Sequence, residues 1–200
     1  ILKNLYSPLI SKGAQYINTS RRAAELIKYA SNAFLATKIT FINEVANLCE
    51  KTGINIEDIS IGMGLDKRIG SRFLRAGPAY GGSCFPKDTK AIISTADKFN
   101  TNLSVIKSVV KSNENRSNIL LNRVYEILNK KIKNKKITFL GVTFKANTDD
   151  MRESSSLTMI PYLAKKHAKV FYYDPTGYKK EFKKFKNVFN ASSINEACKD

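Results

Sequence analysis

The sequence has few cysteines and no long apolar run, and these two absences exclude several classes of protein. Its three cysteines, Cys49, Cys84 and Cys198, are too scattered to form a metal site or a disulfide framework. Such sparse cysteines indicate a reducing, cytoplasmic environment. No apolar run approaches the roughly 20 residues that a helix needs to cross a bilayer. We therefore expect no metal site and no membrane partner.

Acidic residues are also scarce: 17 Asp and Glu stand against 34 Lys and Arg, for a formal net charge of +17. Such an excess can bind a polyanion by charge alone. The densest basic run, residues 179–186, has phenylalanines interleaved at Phe182, Phe185 and Phe189. We interpret it as the exposed face of an amphipathic helix. We expect no nucleic-acid partner, but a basic helical module that binds RNA or DNA without catalysis stays the alternative.

Glycine and proline are absent from a helical pattern of about 33 residues. It begins after Thr19 or Ser20, either of which can cap a helix, and ends at Gly53, a residue suited to a C-terminal cap. Its middle is apolar on most sides, which predicts a buried helix with Cys49 in the core. A shorter helix should start after Asn55 and end at Gly62-Met63-Gly64.

A basic linker at residues 130–136 separates this helical region from a strand, helix, strand pattern over 137–142, 154–166 and 169–173. The pattern is typical of the parallel crossover in a doubly wound sheet. We expect an α/β protein, with a helical domain at 19–131 and the start of a Rossmann-like domain at 132–200. Residues 1–18, with a strand at 15–18, would end a preceding domain, so the chain is expected to be part of a longer protein.

The turn after the first strand lacks the glycine-rich fingerprint of dinucleotide-binding folds. It reads Gly141-Val142-Thr143-Phe144-Lys145, with two bulky side chains where further glycines are required. Ligands of such folds nevertheless bind outside the carboxyl ends of the strands. Phe144, Lys145 and residues 148–152 are therefore predicted to line a crevice, unless they form an ordinary connecting loop.

A single cysteine stands in the segment Gly81-Gly82-Ser83-Cys84-Phe85-Pro86-Lys87-Asp88, directly before a predicted helix. Pro86 suits the first helical turn, and the positive end of the helix dipole favours an anion such as a thiolate. Asp88 lies one turn further on. The local pattern is equally typical of a buried structural cysteine in a glycine turn.

Lys28 and Asn32 stand four residues apart and therefore share one face of the long helix. A cation and an amide so placed could hold one polar atom together. The other reading is that Lys28 pairs with Glu25 on an exposed face.

Four segments together are similar to one family. They are residues 25–36, residues 64–70, the cysteine segment 81–88, and residues 141–145 followed by 152–155. In this order they resemble the UDP-glucose/GDP-mannose dehydrogenase family over nearly the whole chain. Phenylalanine after Cys84, with serine before it, is typical of the branch that acts on UDP-glucose.

The resemblance implies that Cys84 is a nucleophile, that Asp88 helps to activate water, and that Lys28 and Asn32 hold the oxygen at the reacting carbon. Enzymes of this family oxidise the sugar C6 alcohol twice with two NAD⁺. The reaction passes through a thiohemiacetal and a thioester on the cysteine and gives UDP-glucuronate. These roles suit the residue types, because a thiolate is a good nucleophile and a nearby cation stabilises an oxyanion.

Further roles follow from the resemblance alone. It implies substrate contacts by six residues, of which Arg68 would reach the substrate of a neighbouring subunit: Arg68, Tyr80, Gly81, Gly82, Phe144 and Lys145. It also implies a cofactor contact by Arg152 and a homodimer formed through the long helix. The family's NAD domain and the remainder of its nucleotide-sugar domain lie outside these 200 residues. We therefore expect the chain alone to be inactive; an inactive structural fragment is the other reading.

Overall fold

The computed structural model describes residues 1–199 and contains a set of helices followed by a small parallel sheet. The elements are α1 (Leu2–Leu5), α2 (Ser7–Ile10), α3 (Arg21–Thr52), α4 (Ile56–Leu65), α5 (Phe85–Lys98), α6 (Ser104–Ile127), β1 (Lys136–Leu140), α7 (Ser156–Lys165), β2 (Lys169–Tyr173), a 3₁₀ helix (Lys180–Phe182), β3 (Val188–Asn190) and α8 (Ile194–Cys198). The expected α/β fold class is confirmed.

The long helix α3 has the predicted ends. The Ser20 hydroxyl accepts a hydrogen bond from the Ala23 N–H at 3.2 Å, and Gly53 adopts a left-handed conformation with φ of 72°. The helix packs against α5 and α6, and Cys49 is buried as expected.

The prediction that α3 is buried on most sides is wrong. Four apolar residues on its other face are exposed: Ile27, Phe34, Phe41 and Leu48. The helices α4, α5 and α6 contact one side of α3, and among residues 1–199 no other helix or strand packs on the opposite side.

Two shorter predictions are also corrected. Helix α4 starts after Asn55 as expected but continues past Gly62 to Leu65, and Gly64 lets the Ser71 backbone approach to 3.0 Å from where a Cβ would lie. Gly64 therefore serves packing rather than termination, whereas a Cβ on Gly62 would have no atom within 4 Å. Residues 15–18 form no strand, because no sheet lies beside them to supply hydrogen-bond partners.

The strand, helix, strand prediction is confirmed. Strands β1 and β2 pair in parallel with Ile137 opposite Val170, helix α7 connects them, and β3 adds a third parallel strand beside β2. The core beneath the sheet includes Ile160, Leu163 and Val170, and it extends to Leu121 of α6. The sheet therefore packs directly against the helical region.

The basic run at 179–186 is not an amphipathic helix. Only Lys180–Phe182 forms a short 3₁₀ helix, and Phe189 lies in β3. Lys179 is buried, with its ammonium 3.7 Å from the buried Asp174 carboxylate. This tertiary contact overrides the local pattern. Within residues 1–199, no helix combines the length and apolarity required to cross a membrane.

Candidate active site

Cys84 lies at the N-cap position of α5, where the sequence predicted it. Its side chain is exposed, whereas Cys49 is buried, and all three cysteines are free thiols. The reading of Cys84 as a buried structural cysteine is therefore wrong. The next turn begins with Phe85-Pro86, and the Asp88 N–H donates to the Cys84 carbonyl at 2.8 Å. Residues Cys84 and Asp88 thus lie one helical turn apart.

Two polar side chains, Asn32 and Lys87, contact the Asp88 carboxylate, and Lys28 contacts Asn32. The Asn32 amide donates to the Asp88 carboxylate at 2.5 Å, and the Lys28 ammonium donates to the Asn32 amide oxygen at 3.1 Å. Asn32 and Asp88 are both buried, while Lys28 is exposed. The exposed Lys87 ammonium lies 3.6 Å from the second Asp88 oxygen.

The Lys28 side chain thus hydrogen-bonds to Asn32. The alternative prediction, in which Lys28 pairs with Glu25, is not what the structure shows. A cation, an amide, a carboxylate and a thiol stand in sequence from the surface of α3 to the start of α5. This set contains a nucleophile, a base and hydrogen-bond donors for an oxyanion, which is what acyl-transfer chemistry at a carbonyl requires.

The glycines before Cys84 are in close contact with the loop that follows β1. A Cβ on Gly82 would lie 2.6 Å from the Phe144 ring, and φ of 78° at Gly82 disfavours any side chain. A Cβ on Gly81 would meet the Glu153 carbonyl. The Gly82 N–H donates to the Arg152 carbonyl at 2.8 Å. Gly81 needs glycine because the Glu153 backbone lies so close, and Gly82 needs it because of its positive φ and the Phe144 ring.

A buried aspartate fixes the loop that carries Phe144. The Asp174 carboxylate accepts the Val142 N–H at 2.9 Å, and the Val142 carbonyl accepts the hydroxyls of Ser154 and Ser156 at 2.7 and 2.5 Å. Burial alone would raise the pKa of Asp174, but hydrogen bonds from Thr176 and Val142 and the Lys179 charge outweigh it and lower that pKa. The sequence analysis did not find Asp174.

Arg68 and Arg152 each bind the aspartate two residues before them. The Arg68 guanidinium lowers the pKa of Asp66, and the Arg152 guanidinium lowers the pKa of Asp150. Asp150 chiefly, and Cys84 to a smaller extent, raise the pKa of Arg152. Both arginines are exposed.

The sequence analysis also missed three polar residues behind the glycine loop. Asn113 binds both polar groups of the Tyr80 backbone, and Arg116 and Asn43 bind the Gly77 backbone. Burial raises the pKa of the Tyr80 hydroxyl and lowers the pKa of the Arg116 guanidinium. In the sequence, Asn113 and Arg116 could have been found as polar residues among the apolar positions of α6 that face the protein interior.

The residues after β1 do not fit a dinucleotide. The Phe144 ring lies against Gly82, and the exposed Lys145 has its ammonium 5.2 Å from that ring. A pyrophosphate would need glycine at these positions to approach the backbone. The turn after β1 therefore lacks the close backbone approach that the pyrophosphate of a dinucleotide requires.

Two models of the UDP-glucose/GDP-mannose dehydrogenase family match the chain. The family's central domain matches residues 22–115, and its UDP binding domain matches residues 138–200. A UDP-glucose 6-dehydrogenase of Rickettsia felis is 46% identical over 201 residues, covering 100% of this chain and 45% of that protein. A Bacillus subtilis UDP-glucose 6-dehydrogenase is 52% identical over 157 residues, covering 78% of this chain and 36% of that protein.

A solved structure has the same fold. The UDP-glucose dehydrogenase of the archaeon Pyrobaculum islandicum superimposes with a TM-score of 0.87 at 35% sequence identity. The match covers 96% of this chain and 44% of that one. The chain thus spans less than half the length of the relatives named here.

Proposed function

The chain belongs to the UDP-glucose/GDP-mannose dehydrogenase family, and we propose that it forms part of an oxidoreductase that converts UDP-glucose to UDP-glucuronate with two NAD⁺. One observation carries the proposal: the exposed Cys84 thiol stands one turn from the buried Asp88, which Asn32 connects to Lys28. Relatives that match the chain at this level are named UDP-glucose 6-dehydrogenases.

Cys84 would act on the C6 aldehyde of the sugar. Its thiolate sulfur adds to the carbonyl carbon, a C–S bond forms, and the carbonyl π electrons move onto oxygen, which then takes a proton. The Lys28 ammonium and the Asn32 amide nitrogen would be the donors for that oxygen. Their proximity supports this role, because Lys28 donates to the Asn32 amide oxygen at 3.1 Å. Such donors contribute more as the negative charge develops, so they stabilise the transition state more than the bound aldehyde.

Asp88 would serve the hydrolysis of the thioester. Its carboxylate takes a proton from water while the water oxygen attacks the thioester carbonyl; the C–S bond then breaks and releases the Cys84 thiolate and the carboxylate product. The 2.5 Å bond from Asn32 orients Asp88 toward this task. NAD⁺ would accept the hydride in each oxidation.

The remaining residues would bind the nucleotide sugar and the cofactor. Tyr80, Gly81 and Gly82 would line the sugar pocket, with Phe144 and Lys145 on the facing loop. The contact between Phe144 and Gly82 supports this arrangement. Arg152 would reach the cofactor, and the exposed Arg68 would reach the substrate of a neighbouring subunit.

The assembly would be a cytoplasmic homodimer formed through α3. Four exposed apolar residues recur every seven positions along this helix: Ile27, Phe34, Phe41 and Leu48, with exposed fractions of 52, 66, 48 and 64%. A seven-residue apolar repeat lies along one face and is typical of helices that pair with one another. A second copy of α3 would cover this stripe.

The domain limits also remain part of the proposal. Residues 1–18 would end the preceding NAD-binding domain, 19–131 would form the central catalytic and dimerisation domain, and 132–200 would belong to the UDP-sugar domain. The mutual packing of α3, α5 and α6 supports a helical unit.

The thiol chemistry can be tested without NAD⁺. The 6-aldehyde of UDP-glucose should slow alkylation of Cys84 by iodoacetamide, because a thiohemiacetal blocks the sulfur. Alkylation of the exposed Cys198 should not change. Lys28→Ala should weaken the protection by about tenfold or more, since an oxyanion donor is lost. Equal protection of Cys84 and Cys198, or none at either, would refute the proposed function.

A further inference from the structure

Side chains of helix α6 hydrogen-bond to the main chain of residues 77–80, the loop before Cys84. Helix α6 contributes no group to the site proposed above. The Asn113 amide oxygen accepts the Tyr80 N–H at 2.9 Å, and the Asn113 amide nitrogen donates to the Tyr80 carbonyl at 3.1 Å. One side chain thus satisfies both polar groups of one backbone residue, as a neighbouring strand would.

Arg116, three residues further along α6, holds the start of the same loop. Its Nε donates to the Gly77 carbonyl at 3.2 Å and its Nη1 donates to the Asn43 carbonyl at 3.2 Å. The Gly77 N–H donates to the Asn43 amide oxygen at 2.7 Å. Both polar groups of Gly77 are therefore bound to side chains of α3 and α6.

Arg116 is 6% exposed, and among residues 1–199 its charge has no carboxylate within ion-pair distance. Burying a guanidinium against neutral oxygens costs free energy. The contacts with Gly77 and α3 offset part of that cost, and they specify one geometry for the loop.

The link from Tyr80 to the thiol runs through an aromatic contact. The buried Tyr80 ring packs edge-on against Phe85, with ring centroids 6.0 Å apart. Phe85 is the residue that follows Cys84 and begins α5. Fixing the Tyr80 backbone therefore fixes the ring against which the start of α5 rests.

We propose that Asn113 and Arg116 are positioning residues that set the place of the Cys84 thiol by holding the two ends of the Gly77–Tyr80 segment. The consequence for catalysis rests on the proposed function, but the positioning itself does not. Asn113 is the sharper test, because within residues 1–199 its side-chain hydrogen bonds are with Tyr80 alone.

The experiment compares Asn113→Ala and Asn113→Asp in the 200-residue chain by amide exchange and iodoacetamide labelling. Asn113→Ala removes both bonds, so exchange of the Tyr80 amide should rise about tenfold or more. The ratio of the Cys84 rate to the Cys198 rate should change at least about twofold. Asn113→Asp keeps the acceptor for the Tyr80 N–H, so it should restore much of that amide's protection. Asn118→Ala, an exposed asparagine on α6 that bonds only to Asn115, is the matched control.

A purely structural role predicts a different result. Exchange would then rise equally throughout α3, α5 and α6, and the Cys84 to Cys198 ratio would stay at the control value, which overturns the proposal. If Asn113→Ala does not fold, the labelling ratio of Asn113→Asp decides: it should still differ from the control value, because the bond to the Tyr80 carbonyl is lost. Neither readout uses a sugar nucleotide or NAD⁺, so failure here is distinct from failure of the aldehyde protection.

Discussion

The Asn32 amide donates a 2.5 Å hydrogen bond to the Asp88 carboxylate and so joins α3 to α5 across 56 residues of sequence. Both side chains are buried, with residue exposures of 4% for Asn32 and 3% for Asp88. A buried carboxylate that loses its donor retains the cost of desolvation without compensation.

We therefore expect Asn32→Ala to lower the free energy of unfolding by roughly 1–3 kcal/mol. Urea denaturation measures this directly. The control is a double-mutant cycle with Asp88→Ala, in which Asn32→Ala should cost clearly less once the carboxylate is gone. Additive effects of the two substitutions would show that the bond does not contribute.

Cys84 should react with iodoacetamide faster than either other thiol near neutral pH. It is exposed at a helix N-terminus, whereas Cys49 is 4% exposed and Cys198 lies at the end of a short helix. Peptide mapping after timed alkylation measures the three rates. Faster labelling of Cys49 or Cys198 in folded protein would contradict the assignment of Cys84 as the nucleophile.

Gly82→Ala should destabilise the chain by roughly 1–3 kcal/mol, because the new methyl group combines backbone strain with a clash against Phe144. Gly53→Ala is the matched control, since Gly53 has a similar φ of 72° and no atom within 4 Å of an added Cβ. The difference between the two variants in thermal unfolding isolates the clash. Equal losses would mean that Phe144 moves aside freely.

Stability should fall as acid protonates Asp174. The folded-state pKa of Asp174 lies below its unfolded value of about 3.9, so its contribution is fully present above that value and disappears as the pH falls through the folded pKa. The gap in unfolding free energy between wild type and Asp174→Asn should therefore be constant at neutral pH and narrow progressively as the pH falls below about 4. Asp149→Asn, at an exposed position, is the control. A gap independent of pH would contradict this account.

The 200-residue chain should neither bind NAD⁺ nor form NADH from UDP-glucose. The turn after β1 carries Phe144 and Lys145 where a pyrophosphate requires glycine. Calorimetric titration with NAD⁺ and an absorbance assay for NADH test this. Saturable binding of NAD⁺ would show that another part of the chain forms a cofactor site.

Local signals predicted the elements well. Ser20 and Gly53 marked both ends of α3, because each acts through its own backbone and nearest neighbours. The change of apolar period after residue 136 likewise revealed β1, α7 and β2. These features depend on residues close in sequence, which a single chain displays directly.

Long-range contacts could not be predicted in the same way. The pattern of residues 179–186 favoured a helix, but Asp174 binds Lys179 in the folded chain. Asn113 and Arg116 contact main-chain groups, which carry no signature in the sequence. The apolar periodicity of α3 could not tell which side has a neighbour. The roles given to the site residues stay predictions.

The contact between the glycine loop and the loop beyond β1 also limits how the molecule can open. Gly82 donates to the Arg152 carbonyl, Phe144 covers Gly82, and the Ser155 hydroxyl donates to the Pro78 carbonyl at 3.3 Å. Residues 78–82 and 152–155 are thereby joined by two hydrogen bonds. A motion that separated these segments would have to break both bonds, whereas a hinge outside the two segments would leave them intact and move the thiol together with the sheet.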